Sequence, residues 1–302
     1  MSDPIANRGF AYRSRVAARD AGVTIVDFLV RRYPAFSREE WAGRAASGRV
    51  LVNDVAATGD SPVQAGDTVT WLRPPWREPE TPRTFAVLYR AGGLLAVAKP
   101  SGLPTIPGGG SFLENTLLAL VRRHFPAASP LHRLGRATSG VVLFATTAES
   151  ASELSREWRD REVVKVYRAL VAGRASADHW NVDVPIGPVP HRVLGRVHAA
   201  SPEGKPAHSE VTVLERRGET TLVEVRITTG RPHQIRIHLA ASGHPLVGDP
   251  LYANGGLPIV DTRALPGEGG YFLHAESLRF FDATAGQWLE IYCLPPPILR
   301  ST

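Results

Sequence analysis

GRPHQIRIHLAASGHPLVGDPLY, from Gly230 to Tyr252, mixes imidazoles, guanidinium groups and a carboxylate with apolar residues. Such a polar stretch leads into or out of a buried strand. His233, His238, His244 and Asp249 are natural metal ligands, but their spacings of 5, 6 and 5 put no pair on one helix face. No HExxH is present either, so the pattern argues against a metal. Similar stretches recur along the chain as LLAVAKPSGL (Leu94–Leu103), HRLGRATSG (His132–Gly140), KVYRALV (Lys165–Val171) and FLHAESLRF (Phe272–Phe280). Ser139 lies in TSGVV rather than in a GxSxG elbow, which removes the main support for a hydrolase. The glycine-rich IPGGGS around Gly109 lacks the Gly-Lys-Ser/Thr of a phosphate loop and reads as a mobile loop over the site.

Around these stretches, residues 85–302 alternate strand-like runs with few helical ones. Glu114 to His124 and Glu149 to Arg161 have helical spacing, while PEGK and ERRGETT are turns of hairpin type. Strands adjacent in sequence with few crossover helices predict an α+β fold with a mixed, largely antiparallel sheet. A smaller unit precedes it, within residues 1–73 and after an N-terminal extension. Thr24 with Asp27 starts one helix, with Ile25, Phe28 and Leu29 on one side, and Ser37 with Glu40 starts a second that stops at Gly48. RVLVND and AGDTVTWL then supply short strands. The Pro-rich RPPWREPETPR stiffens the join across residues 74–84.

The chain has 302 residues and a net charge of +6. By block, residues 1–84 carry 12 basic and 10 acidic groups, 85–200 carry 14 and 8, and 201–302 carry 9 and 11. The excess therefore lies in the first two blocks and suggests a polyanionic partner. Lys99, Lys165 and Lys205 are the only lysines. In a chain so biased toward arginine, each lysine points to a place that wants a compact ammonium. Cys293 is the only cysteine, which excludes an intrachain disulfide and a cysteine-based zinc site. No apolar run reaches the ~18 residues of a membrane span and no secretory segment opens the chain, so a soluble, cytoplasmic protein is expected. Without a heptad pattern, the expected state is a monomer.

With SREEW, SGRVLVND and QAGDTV in place, the small unit resembles the S4 RNA-binding domain over about fifty residues. Arg31, Arg32, Arg38, Arg44 and Arg49 would then meet phosphates, each adding close to one unit of salt slope. LLAVAKPSGL, HRLGRATSG, KVYRALV, the Gly230–Tyr252 block and FLHAESLRF, in that order, resemble the RluA-type RNA pseudouridine synthases. The resemblance implies isomerisation of a uridine in structured ribosomal or transfer RNA without cofactor or metal. The N1–C1′ bond breaks, the base turns while held, and C5 joins C1′. The target uridine must leave its stack. The resemblance gives Arg133 the task of filling that gap, and has Tyr167 stack on the base and help remove the C5 proton. His132, Arg136, Lys165, His233 and His274 fall in the same stretches and are expected to bind substrate.

One position departs from the family. Its pattern has an aspartate after His-Arg-Leu, the carboxylate regarded as indispensable, and here that position is Gly135. Removing a nucleophile from an otherwise intact site costs roughly 10³ to 10⁶ in rate. The family's arginine at Arg236 forms a buried ion pair with the missing aspartate, so an unpaired Arg236 would be costly. Another carboxylate, water, or an RNA phosphate could take its place, and Asp249 and Glu276 are the substitutes to examine. Two readings follow: a working pseudouridine synthase with a re-sited catalytic group, or an inactive RNA-binding protein of the same fold.

Overall fold

A computed structural model describes residues 6–34, 36–108, 110–152, 163–265, 268–282 and 285–301. The chain divides into two compact units, Met1–Glu78 and Pro79–Thr302.

The first unit is a four-stranded sheet with two helices. Its elements are β1 (Phe10–Arg15), α1 (Ile25–Arg32), α2 (Arg38–Ala46), β2 (Val50–Val52), β3 (Val55–Ala56) and β4 (Thr68–Arg73), with sheet order β1-β4-β2-β3. The Thr24 hydroxyl accepts from the Asp27 backbone and so starts α1. Ser37 and Glu40 form a reciprocal capping box that starts α2. Asn53 and Asp54, both at positive φ, make the tight turn between β2 and β3. Ile25, Leu29, Trp41, Val50 and Trp71 fill the core.

The basic residues of this unit differ in their surroundings. Arg31, Arg32 and Arg49 are exposed, whereas Arg38 pairs with Asp27. Arg44 departs from the expectation of a phosphate contact. Its guanidinium lies 4.0 Å from the Phe36 ring centroid and 4.6 Å from that of Trp41, and it also pairs with Glu40. It packs as part of the core edge because a flat cation stacks well on aromatic faces.

In the second unit the strands are β5 (Ala86–Ala91), β6 (Leu94–Lys99), β7 (Ser129–Pro130), β8 (Ser139–Ala145), β9 (Val164–Ala172), β10 (His179–Val182), β11 (Ile186–His191), β12 (Gly195–Ala200), β13 (Ser209–Arg217), β14 (Thr220–Ile227), β15 (Leu273–Asp282) and β16 (Gln287–Tyr292). The main sheet runs β10-β13-β14-β9-β15-β8-β6-β5, with β11 and β12 as a separate hairpin. Its pairs are antiparallel except for β8 with β15, which gives the mixed, largely antiparallel sheet expected from the sequence. At that parallel seam a Cβ on Gly140 would lie 2.1 Å from the Ala275 carbonyl oxygen, so only glycine fits.

Among the described residues, α3 (Leu117–Arg122) and α4 (Gln234–Ala241) accompany the strands, together with a helical segment at 148–152. The α3 helix is shorter than the spacing predicts. The expected helix over Glu149–Arg161 is present at 148–152 and otherwise lies outside the described residues, as does Gly109. The α4 helix occupies a stretch expected to adjoin a strand. Seven of its eight residues are buried, and a helix covered on all sides carries no polar stripe to betray its period. Among the described residues, no helix is long and apolar enough to cross a membrane.

Candidate active site

Three pieces of chain meet on one face of the main sheet: the loop at 131–138, strand β9, and α4 with the turn that follows it. Alternation along β9 points Lys165, Tyr167 and Ala169 to one face and Arg168 to the other. Tyr167 belongs to the same buried core cluster as Leu134, Ile235, Leu239 and Tyr271. The Tyr167 ring is buried and its phenol pKa is pushed up by that burial. Lys165 is also held below its ordinary pKa by burial.

The loop is pinned from beneath. Thr105 Oγ1 donates to the Leu134 carbonyl at 2.8 Å and accepts from the Leu134 amide at 3.2 Å. The buried Lys99 ammonium donates to the carbonyls of Pro100, Leu103 and Arg136 at 2.9, 2.7 and 3.1 Å. Burial pulls the Lys99 pKa down to about 7, while three carbonyl acceptors favour its charged form. With Leu134 held inward, Arg133 and Gly135 face outward. Arg136 lies over the Phe112 ring at 5.4 Å. His132 Nε2 accepts from the Leu143 amide at 3.1 Å. Burial first and the Lys165 charge second lower its pKa to about 3, so it is a neutral positioning group at ordinary pH.

Arg236, on α4, donates to both oxygens of Asp249 at 2.7 Å. The side chains are 3% and 1% exposed, so the pair is sealed from solvent. Tyr252 and Tyr271 flank the guanidinium at 4.9 and 4.4 Å from their ring centroids. Asp249 Oδ1 also accepts from the amides of Leu251 and Tyr252. The carboxylate thus neutralises Arg236 and caps a turn, with both of its oxygens already accepting hydrogen bonds.

His233 caps the start of α4 in a left-handed conformation, φ 57°. The Tyr252 hydroxyl donates to the His198 carbonyl at 2.6 Å, so His233 Nδ1 donates to that hydroxyl at 2.7 Å and Nε2 keeps its lone pair. Burial, then the Arg236 charge, brings the His233 pKa to about 3, and Arg133 pushes the same way.

Two expected residues lie elsewhere. Glu276 pairs with Arg168 at 2.6 Å, on the face of β9 opposite Tyr167. It sits in a bulge where the β15–β9 register shifts between Ala275 and Ser277. Glu276 is buried rather than at the surface, and it does not join Gly135. His274 is paired across the strands with Arg168, and its ring nitrogens meet Ser139 Oγ at 2.8 Å and the Cys293 carbonyl at 2.9 Å. Neither nitrogen is left for a substrate. His238 and His244 are likewise engaged, the first with Ser209 and Val184 and the second with Ala172.

Sequence reasoning passed over Thr105 and Tyr271. A Cβ built on Gly135 would stand 3.0 Å from the Tyr271 hydroxyl and 3.5 Å from Thr138 Oγ1. Tyr271 lies just outside the FLHAESLRF stretch, and no local signal marks it.

The RNA pseudouridylate synthase family model matches residues 93–241, from β6 through α4. An uncharacterized RNA pseudouridine synthase of Synechocystis sp. is 42% identical over 91% of this chain and 95% of its own. The dual-specificity RNA pseudouridine synthase RluA of Escherichia coli is 37% identical over 67% of this chain and 89% of its own. The solved structure of human RNA pseudouridylate synthase domain containing 1 superposes with a TM-score of 0.57 at 25% identity, over 74% of this chain and 89% of that one. With the sheet and the site stretches in this arrangement, the chain belongs to the RluA-type family of RNA pseudouridine synthases.

Proposed function

We propose that this chain isomerises a specific uridine of a structured RNA, ribosomal or transfer, to pseudouridine. The observation that carries this reading is one face of β9 that holds Lys165 and the buried Tyr167 ring, with α4 and its charge-paired Arg236 packed on it and an exposed Gly135 in the adjoining loop. A flipped uracil stacks on Tyr167, and Arg133, outward on a pinned loop, fills the gap in the RNA. Arg236 needs no partner at position 135, because Asp249 already neutralises it. The small N-terminal unit is read as S4-like, with the exposed Arg31, Arg32 and Arg49 as its phosphate contacts.

A second reading, a non-catalytic RNA-binding protein, is favoured by one observation. Of the two candidate substitute carboxylates, Asp249 has its oxygens occupied and Glu276 faces away. Mapping pseudouridine in ribosomal and transfer RNA distinguishes the two. Cells lacking the protein are re-supplied with the native chain or with Tyr167→Ala. A site modified only with the native chain supports the synthase, and identical maps support the second reading.

A further inference from the structure

We propose that Tyr271 supplies the group that Gly135 lacks, its phenol oxygen being the atom that bonds C1′ of the target uridine while the base turns. This rests on the synthase reading above and names the catalytic residue within it.

Gly135 is not at a left-handed φ, so its backbone does not require glycine. What the missing side chain leaves is room, and the Tyr271 oxygen is in it, 3.0 Å from where a Cβ would be. The ring comes from the segment just before β15. It is buried, with its centroid 4.4 Å from the Arg236 guanidinium. The phenol therefore bridges the space between position 135 and Arg236, where the family's aspartate would meet that arginine. Beyond Thr138 Oγ1, a long contact at 3.5 Å, the oxygen keeps acceptor capacity. Asp249 fixes the guanidinium in place beside the ring. A fixed cation over the ring face favours the phenolate that the second step releases. Tyrosine is a competent nucleophile at an anomeric carbon, as in sialidases.

The step balances without another reactant. The Tyr271 oxygen bonds C1′ as the N1–C1′ bond breaks, the bonding pair leaves with uracil, and the phenol proton passes to N1. After the base turns, C5 bonds C1′ and the oxygen–C1′ bond breaks, returning its pair to the phenolate. The C5 proton, removed with the help of Tyr167, ends on that phenolate. Uridine has become pseudouridine, and Tyr271 is a phenol again.

The test measures C5 tritium release in single turnover, with RNA from cells lacking the protein. Native chain, Tyr271→Phe and the double variant Tyr271→Phe with Gly135→Asp are compared. Tyr271→Phe is expected to lose roughly 10³-fold or more in rate, with RNA affinity and melting temperature unchanged. The double variant, with a carboxylate in the vacated space, is expected to regain activity. Tyr271→Phe releasing tritium at the native rate overturns the assignment and leaves the synthase reading standing. No release by the native chain overturns both. Should Tyr271→Phe fold poorly, the native protein with RNA transcribed from 2′-fluoro-2′-deoxyuridine triphosphate gives a second readout. A nucleotide adduct on the peptide containing Tyr271 is expected, and an adduct on any other residue contradicts the proposal.

Discussion

Arg236 donates to both oxygens of Asp249, and the pair lies buried between the rings of Tyr252 and Tyr271. Asp249→Ala leaves a desolvated guanidinium without its counter-charge and should lower stability by about 3–5 kcal/mol. Denaturant unfolding checks this, and a loss well under 1 kcal/mol would mean that water reaches Arg236.

The Tyr167 ring and hydroxyl are separable. Tyr167→Phe keeps the stacking surface, worth ~1–3 kcal/mol per base, and should bind RNA about as tightly as the native chain while losing most of its turnover. Tyr167→Ala should lose both. Binding by filter retention beside tritium release resolves the two, and a fully active Tyr167→Ala would put the base elsewhere.

His132 and His233 are held neutral in the folded chain, both with pKa lowered to about 3 from an ordinary 6.5. Between those values the unfolded chain binds more protons, so stability rises with pH across the window and is fully present above it. The melting temperature should therefore fall as pH drops from about 6.5 toward 4. His132→Gln, which can still accept from the Leu143 amide, should make that fall shallower. An unchanged pH dependence would mean that His132 does not contribute to it.

Lys99 ties three carbonyls beneath the loop that carries Gly135. Lys99→Met leaves buried acceptors unpaired, which costs about 1–3 kcal/mol. Because the loop also sets Arg133, turnover should fall more than RNA affinity. Equal losses of the two would make Lys99 a purely structural tie.

In the N-terminal unit, Arg31→Ala with Arg49→Ala should weaken RNA binding and reduce the salt slope by about 0.7–0.9 for each phosphate no longer neutralised. Arg44→Ala, which removes a guanidinium stacked on Phe36 and Trp41, should lower stability with less change in that slope. A salt slope unmoved by the first pair would take this unit out of the binding account.

What could be read in advance follows from how local each signal is. Thr24 with Asp27 and Ser37 with Glu40 are pairs three residues apart, and both helix starts were legible. KVYRALV was legible as a strand-like run, and alternation along it places Lys165 and Tyr167 on one face. Helix α4 was hidden because burial on every side erases the period that marks a helix. The face on which Glu276 and His274 fall was not legible, because it is set by the pairing of β15 with β9, where His274 stands opposite Arg168, and that register joins segments distant in sequence. Tyr271 could not be found from the sequence, since its meeting with Gly135 joins segments far apart along the chain.

The reaction proposed for this cleft turns uridine into pseudouridine without a carboxylate at position 135. The most direct test is tritium release from C5-labelled RNA, isolated from cells lacking the protein and incubated with the purified native chain. Release in proportion to pseudouridine formed, continuing over multiple turnovers, is the expected result. No release by the native chain, with release restored by Gly135→Asp, would contradict it and leave an intact cleft that only binds RNA.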